Sequence, residues 1–175
     1  SDNDTRKKNT FCFSKNNFRP AEGTATAIHT VGTGGMILAG FSGGRLNLVQ
    51  MLDGKTISRF KGHTGTIRTI AVDPDAQIAA SGADDHAVIL WNLKTGKKIG
   101  VLNGHSKKVS SLSFSRDGRF LLSGSADKTV RVWNVAEQAS TAVYEGHKGE
   151  VSAIVTLPGK PIAISASASA KDRSV

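Results

Sequence analysis

GHSKKVSSLSFSRDGRFLLSGSADKTVRVWN, residues 104–134, decides the fold, because GHTGTIRTIAVDPDAQIAASGADDHAVILWN at residues 62–92 carries the same marks 42 positions earlier. Gly104-His105 answers Gly62-His63, Ser123-Gly124 answers Ser81-Gly82, Asp127 answers Asp85, and Trp133-Asn134 answers Trp91-Asn92. A third Gly-His pair, Gly146-His147, falls at the same interval. Four separate features at one fixed spacing mark a chain built from stacked supersecondary units.

Within a unit the strands follow from alternation and turn residues. Val109 to Phe114 is a short β-prone run, Asp117-Gly118 supplies a hairpin turn, and Phe120 to Ser123 returns. Ala126-Asp127-Lys128 turns the chain into Thr129 to Val135, and Thr141 to Tyr144 makes a fourth strand that ends at the next Gly-His. Four short antiparallel strands form one blade with two apolar faces, and neither face is covered unless neighbouring blades stack on it.

Gly-His, Ser-Gly, Asp and Trp-Asn at this period resemble the WD-repeat family, whose repeat is roughly 40 to 45 residues long. Asparagine stands in both units where the family has its name-giving aspartate. The resemblance covers about residues 24 to 175 and implies an all-β fold, a β-propeller of four-stranded antiparallel blades. It further implies that His105, Ser123, Asp127 and Trp133 form one buried hydrogen-bonded chain, with His63, Ser81, Asp85 and Trp91 as the equivalent set. The residue types suit one another: an indole N–H only donates, a hydroxyl and a neutral imidazole both donate and accept, and a carboxylate only accepts.

The units at either end depart from the pattern. Moving back by one period from the second unit lands on Ala21, Ala39, Gly43 and Val49, so the first unit loses the tetrad. It keeps the strand spacing, legible as Thr24 to Thr30, Met36 to Phe41, Arg45 to Met51 and Lys55 to Phe60. Gly32-Thr33-Gly34-Gly35 lies between two strands and opens no helix, which makes it a hairpin turn and not a phosphate loop. The last unit runs from Glu150 to Leu157, turns at Pro158-Gly159-Lys160, and returns from Pro161 to Ser165. Its hydroxyl member is Ser165 or Ser167, and its acid is displaced to Asp172.

The expected organisation is a linker or extension at residues 1–20 and a partial propeller at 21–175. The propeller divides into a degenerate blade at 21–61, blades at 62–103 and 104–145, and an incomplete blade at 146–175. About three and a half blades fit in the sequence against about four to eight in a closed propeller, so these residues are expected to be part of a longer protein.

Composition narrows the function. Hydrophobic residues make up 38% and aromatics 6% of 175 residues, which suits short strands and turns over long amphipathic helices. Cys12 is the lone cysteine, so no intrachain disulfide or thiolate zinc knot can form, and a reducing compartment is expected, nuclear or cytoplasmic. No apolar run reaches membrane-helix length, and membrane insertion is not expected. The net charge of +9 would attract RNA or an acidic protein surface, but the cations are scattered as short pairs such as Lys7-Lys8, Lys97-Lys98 and Lys107-Lys108, with no block of five or more.

Ser, His and Asp occur together twice, as a hydrolase triad would require once. A nucleophile must be reachable and activated in a pocket, and a duplicated set makes a poor pair of active sites. The sequence has no Gly-x-Ser-x-Gly elbow, no His-Glu-x-x-His and no Walker loop. No enzyme activity, small-molecule substrate, cofactor or metal is expected, and His29 and His86 fall outside the tetrads.

The resemblance implies a rigid platform whose loops hold other proteins within a multisubunit assembly, or alternatively RNA in a ribonucleoprotein such as one of ribosome assembly or splicing. The candidate partner-binding residues are Thr64, Asp84, Lys107, Lys108 and Lys148, on loops at one end of the strands.

Overall fold

The computed structural model describes residues 24–157 and 163–168, and these contain strands and turns with no helix. The first sheet comprises β1 (Ala25–Val31), β2 (Met36–Phe41), β3 (Arg45–Gln50) and β4 (Thr56–Lys61), hydrogen-bonded in chain order. The second comprises β5 (Ile67–Val72), β6 (Ile78–Ala83), β7 (Val88–Asn92) and β8 (Lys98–Leu102). The third comprises β9 (Val109–Phe114), β10 (Phe120–Ser125), β11 (Thr129–Asn134) and β12 (Ala139–Glu145). A two-stranded sheet, β13 (Val151–Thr156) with β14 (Ala163–Ser167), follows. All pairings are antiparallel. These are propeller blades, and the degenerate first unit builds as complete a blade as the two that carry the markers.

The turns fall where residue chemistry allows them. Gly118 sits at φ +68° in the hairpin of the third blade, and its amide donates to the Ser115 carbonyl at 2.9 Å. Lys128, at φ +74°, closes the next turn onto Ser125. Pro158-Gly159-Lys160, residues 1–23 and Asp172 lie outside the described residues.

Blades meet through alternate residues on opposite faces. Leu38, Leu46, Leu48 and Phe60 of the first blade pack against Ile67, Ile89 and Trp91 of the second. One period later, Ala80, Val88, Leu90 and Leu102 pack against Val109, Leu121 and Trp133. The first strand of each blade also touches its counterpart in the next, β1 against β5, β5 against β9 and β9 against β13, which sets these strands along the inner side of the stack.

That approach explains one repeated glycine. A Cβ on Gly40, Gly82 or Gly124 would lie 2.5 Å from Ile67, 2.6 Å from Val109 or 2.5 Å from Val151, the opening residue of the next blade's first strand. Each glycine makes room for a buried aliphatic side chain, whose burial contributes about 1.5–3 kcal/mol.

The first strands share a second device. Register shifts leave Thr26, Arg68, Ser110 and Ser152 as bulge residues, one per blade and one period apart. A bulge re-aims its side chain. Thr26 Oγ1 donates to the carbonyl of Ile67 at 2.5 Å and Ser110 Oγ donates to the carbonyl of Val151, so a hydroxyl ties β1 and β9 to the next blade, while Ser152 Oγ donates to the Ala166 carbonyl of its own sheet at 3.3 Å. Arg68 is the exception and points elsewhere.

Candidate interaction surface and the side-chain relays beneath it

Two chains of polar side chains run inward from one end of the blades. In the third blade, Trp133 Nε1 donates to Ser123 Oγ at 2.8 Å, Ser123 Oγ lies 2.7 Å from His105 Nε2, and His105 Nδ1 lies 2.8 Å from Asp127 Oδ2. In the second, Trp91 Nε1 donates to Ser81 Oγ at 2.7 Å, Ser81 Oγ lies 2.8 Å from His63 Nε2, and His63 Nδ1 lies 2.9 Å from Asp85 Oδ2. The eight residues are brought together as two separate sets of four.

The ends of each chain fix its direction. An indole can only donate and a carboxylate can only accept, so the serine hydroxyl accepts a hydrogen bond from the indole N–H and donates its own O–H to histidine Nε2, while Nδ1–H donates to the acid. Every group is satisfied with a neutral imidazole. For His105, burial pushes the pKa below its ordinary value, and this outweighs the upward pull of Asp127. Burial would raise the Asp127 carboxyl, but the Thr129 hydroxyl and amide, His105 and the Ser106 amide together hold it at about 2. Asp85 is also lowered: burial opposes the shift, and the Thr64 amide, His63 and the Ala87 amide carry it.

Ser81 and Ser123 are 0% exposed, so no substrate can reach either hydroxyl. The chains hold loops instead. Asp85 Oδ2 accepts the Thr64 amide at 2.8 Å and Asp127 Oδ2 accepts the Ser106 amide at 3.0 Å, which fastens each loop entering a first strand to the turn after the second strand. In the last blade His147 Nε2 meets Ser165 Oγ at 2.7 Å, so Ser165 and not Ser167 occupies the hydroxyl position.

The loop end above these relays is charged. Arg68, re-aimed by its bulge, forks onto Asp84, with Nε to Oδ1 at 2.8 Å and Nη2 to Oδ2 at 2.7 Å. The guanidinium holds the Asp84 carboxyl below its ordinary value, and Asp84 raises Arg68 in turn. Lys108 Nζ pairs with Glu150 Oε1 at 3.0 Å; Lys108 also favours the Asp84 anion and Glu150 the Arg68 cation. Four charges from three blades thus alternate in sign. Thr64, Lys107 and Lys148 are exposed at the same end.

Sequence reasoning named Asp84 and Lys108 but missed their partners Arg68 and Glu150. A signal existed for Arg68, since the series Thr26, Arg68, Ser110, Ser152 contains one residue that is not a hydroxyl. Among the described residues, no group of three or more His, Cys, Asp and Glu could hold a metal ion, and no helix is long and apolar enough to cross a membrane.

The family described as "WD domain, G-beta repeat" (WD40) matches residues 54–92 and 96–134. Over 43 residues the chain is 44% identical to eukaryotic translation initiation factor 3 subunit I of Aspergillus niger, covering 25% of this chain and 13% of that protein. It is 49% identical over 39 residues to small ribosomal subunit protein RACK1z of Arabidopsis thaliana, covering 22% and 12%. It is 50% identical over 36 residues to ribosome biogenesis protein erb1 of Neosartorya fischeri, covering 21% and 5%. The matched segments therefore span no more than 13% of these relatives. A solved structure titled "Structure of U3-55K" superposes with a TM-score of 0.74 at 24% identity, over 78% of this chain and 43% of that one. Two repeats of this chain match that family and the superposition is one of fold, so the described residues fold as blades of a β-propeller.

Proposed function

We propose that the chain is part of a non-enzymatic scaffold that presents its charged loop end to another protein within a multisubunit assembly, in the nucleus or cytoplasm. The observation that carries this reading is the alternating set Arg68, Asp84, Lys108 and Glu150, with Arg68 on the bulge of β5 and with Asp84 and Lys108 beside the turn and loop that the buried relays fasten to the blades. A preorganised charge pattern of this kind gives specificity and steers encounter more than it adds affinity. The names of the matched relatives, a translation initiation factor subunit and ribosome-associated proteins, fit an assembly role. Thr64, Lys107 and Lys148 are the flanking contacts in this reading.

A second reading rests on the +9 net charge and the ribosomal relatives: the same cations meet RNA phosphates in a ribonucleoprotein. Affinity purification from cells with and without nuclease separates the two. A bound protein set that survives nuclease supports the scaffold. Loss of that set with recovery of RNA supports the ribonucleoprotein.

A further inference from the structure

Three dipeptides among the described residues set a side-chain carbonyl carbon beside a glycine amide: Asp53-Gly54, Asn103-Gly104 and Asp117-Gly118. Glycine has no Cβ to keep its nitrogen away from the preceding side chain, so each pair could in principle close on itself. The fold separates the three. Gly54 N donates to the Gln50 carbonyl and Gly118 N to the Ser115 carbonyl, each at 2.9 Å, which occupies both nitrogens. Their carboxylates are held as well: Asp53 Oδ1 accepts the Lys55 amide at 2.9 Å, and Asp117 Oδ1 accepts the Ser115 hydroxyl at 2.6 Å and the Arg119 amide at 3.1 Å. An ionised carboxylate is also a poor electrophile.

Asn103-Gly104 is the pair left open. It lies between β8 and β9, both residues are exposed, and among the described residues neither the Asn103 carboxamide nor the Gly104 amide has a hydrogen-bond partner. Asn92 and Asn134 are different. Asn92 Oδ1 accepts the Thr95 amide at 2.8 Å, Asn134 Oδ1 accepts those of Ala136 and Glu137 at 3.0 and 3.2 Å, and the residues that follow, Leu93 and Val135, are bulky. The repeat itself does not ask for asparagine at this position, since Lys61 and Glu145 precede the other two Gly-His pairs.

A cation stands beside the open pair. Arg131 on β11 lies over Trp133 at 5.9 Å and against Gly104, where a Cβ would come 2.8 Å from Arg131 Nη1. Its buried Nε has no hydrogen-bond partner, and among the described residues Arg131 forms no ion pair. A positive charge at this distance favours loss of the Gly104 amide proton and the anion that follows.

We propose that Asn103 is a modification site, where the carboxamide converts without an enzyme to aspartate and isoaspartate. Gly104 N attacks Asn103 Cγ, and the new C–N bond closes a cyclic succinimide. The proton given up by Gly104 N passes through water to the departing nitrogen, which leaves as ammonia. A second water adds to either imide carbonyl and breaks one C–N bond, giving aspartate or isoaspartate, in which the main chain runs through Cβ. The net change is one water consumed and one ammonia released. The product puts a carboxylate on the loop entering β9, one residue from the glycine that Arg131 packs against, and the isoaspartyl form adds a main-chain carbon two residues ahead of His105.

The test incubates the 175-residue chain at neutral pH and digests timed samples with trypsin, which releases residues 99–107 with Asn103 as their sole asparagine. A sample taken at zero time sets the background. The peptide should give two products about 1 Da heavier, one of them a substrate for isoaspartyl methyl transfer. Conversion should run at least about tenfold faster than at Asn92 or Asn134. Arg131→Met keeps a side chain of similar length over Trp133 without the charge and should slow conversion about threefold, with its melting curve recorded alongside. Conversion at Asn103 no faster than at Asn92 and Asn134 would overturn the proposal, as would isoaspartate forming equally fast at Asp53 or Asp117. A rate unchanged in Arg131→Met would overturn the part assigned to the guanidinium.

Discussion

The Thr129 hydroxyl donates to Asp127 Oδ1 at 2.7 Å, a bond that Ala87, one period earlier, cannot make to Asp85. The second and third blades therefore carry the same four-residue relay with unequal support for the acid. Asp127 takes four donors, from Thr129 twice, His105 and Ser106, and its pKa falls to about 2.

Thr129→Ala should remove one charge-assisted bond and destabilise the chain by about 1.5 kcal/mol. Denaturant unfolding at neutral pH measures the loss. Thr129→Ser should restore most of it, because serine keeps the hydroxyl.

Stability should fall with acid in two steps. The folded His105 pKa lies below its ordinary 6.5, so the unfolded chain binds the proton first; this contribution is full above 6.5 and is lost as pH drops toward the folded value. Asp127 shifts from 3.8 to about 2, so its contribution, about 2 kcal/mol, is full above 3.8 and is lost as pH falls through 2. Denaturation midpoints recorded between pH 7 and pH 2 check both windows, and a midpoint that rises on acidification would contradict the neutral-imidazole relay.

Trp133→Phe keeps an aromatic ring and removes the N–H, and should destabilise by about 1–2 kcal/mol. His105→Ala should cost more, about 3 kcal/mol, because Asp127 and Ser123 stay buried with a partner removed. Both losses belong to folding, so thermal melts and not binding assays should register them first.

Gly82→Ala would place a Cβ 2.6 Å from Val109 and 2.9 Å from Thr69, and should destabilise by about 1–3 kcal/mol through overpacking. Gly146→Ala, where a Cβ meets nothing within 4 Å, is the matched control and should change little.

The repeat was legible because its markers are local and periodic. Val109 to Phe114 and Met36 to Phe41 could be read as strands from composition and flanking turns alone, and the structure gives them those bounds. The second strand of the third blade, expected to stop at Ser123, runs to Ser125, whose hydroxyl accepts the Asp127 amide and donates to the Lys107 carbonyl. Ser165 and Ser167 are two residues apart and share a face of one strand, so alternation could not separate them; the distance to His147 did. Arg68 escaped notice because the periodic series Thr26, Arg68, Ser110 and Ser152 does not show by itself that these are bulge positions, and only the fold shows that Arg68 forks onto Asp84 of its own blade. The Lys108–Glu150 pair joins two blades, and no local pattern encodes it.

Whether the charged loop end is an interaction surface is decided by a pull-down with Lys107→Glu combined with Lys108→Gln. Glutamine is chosen at 108 because a carboxylate there would face Glu150 at ion-pair distance. Lys107 is exposed and the Lys108–Glu150 pair is partly solvated, so the melting temperature should stay nearly that of the unaltered chain, with a change below about 1 kcal/mol. This variant should melt normally and lose the partner proteins that the unaltered chain retains after nuclease. Retention of the full partner set by the variant would contradict an interaction surface there.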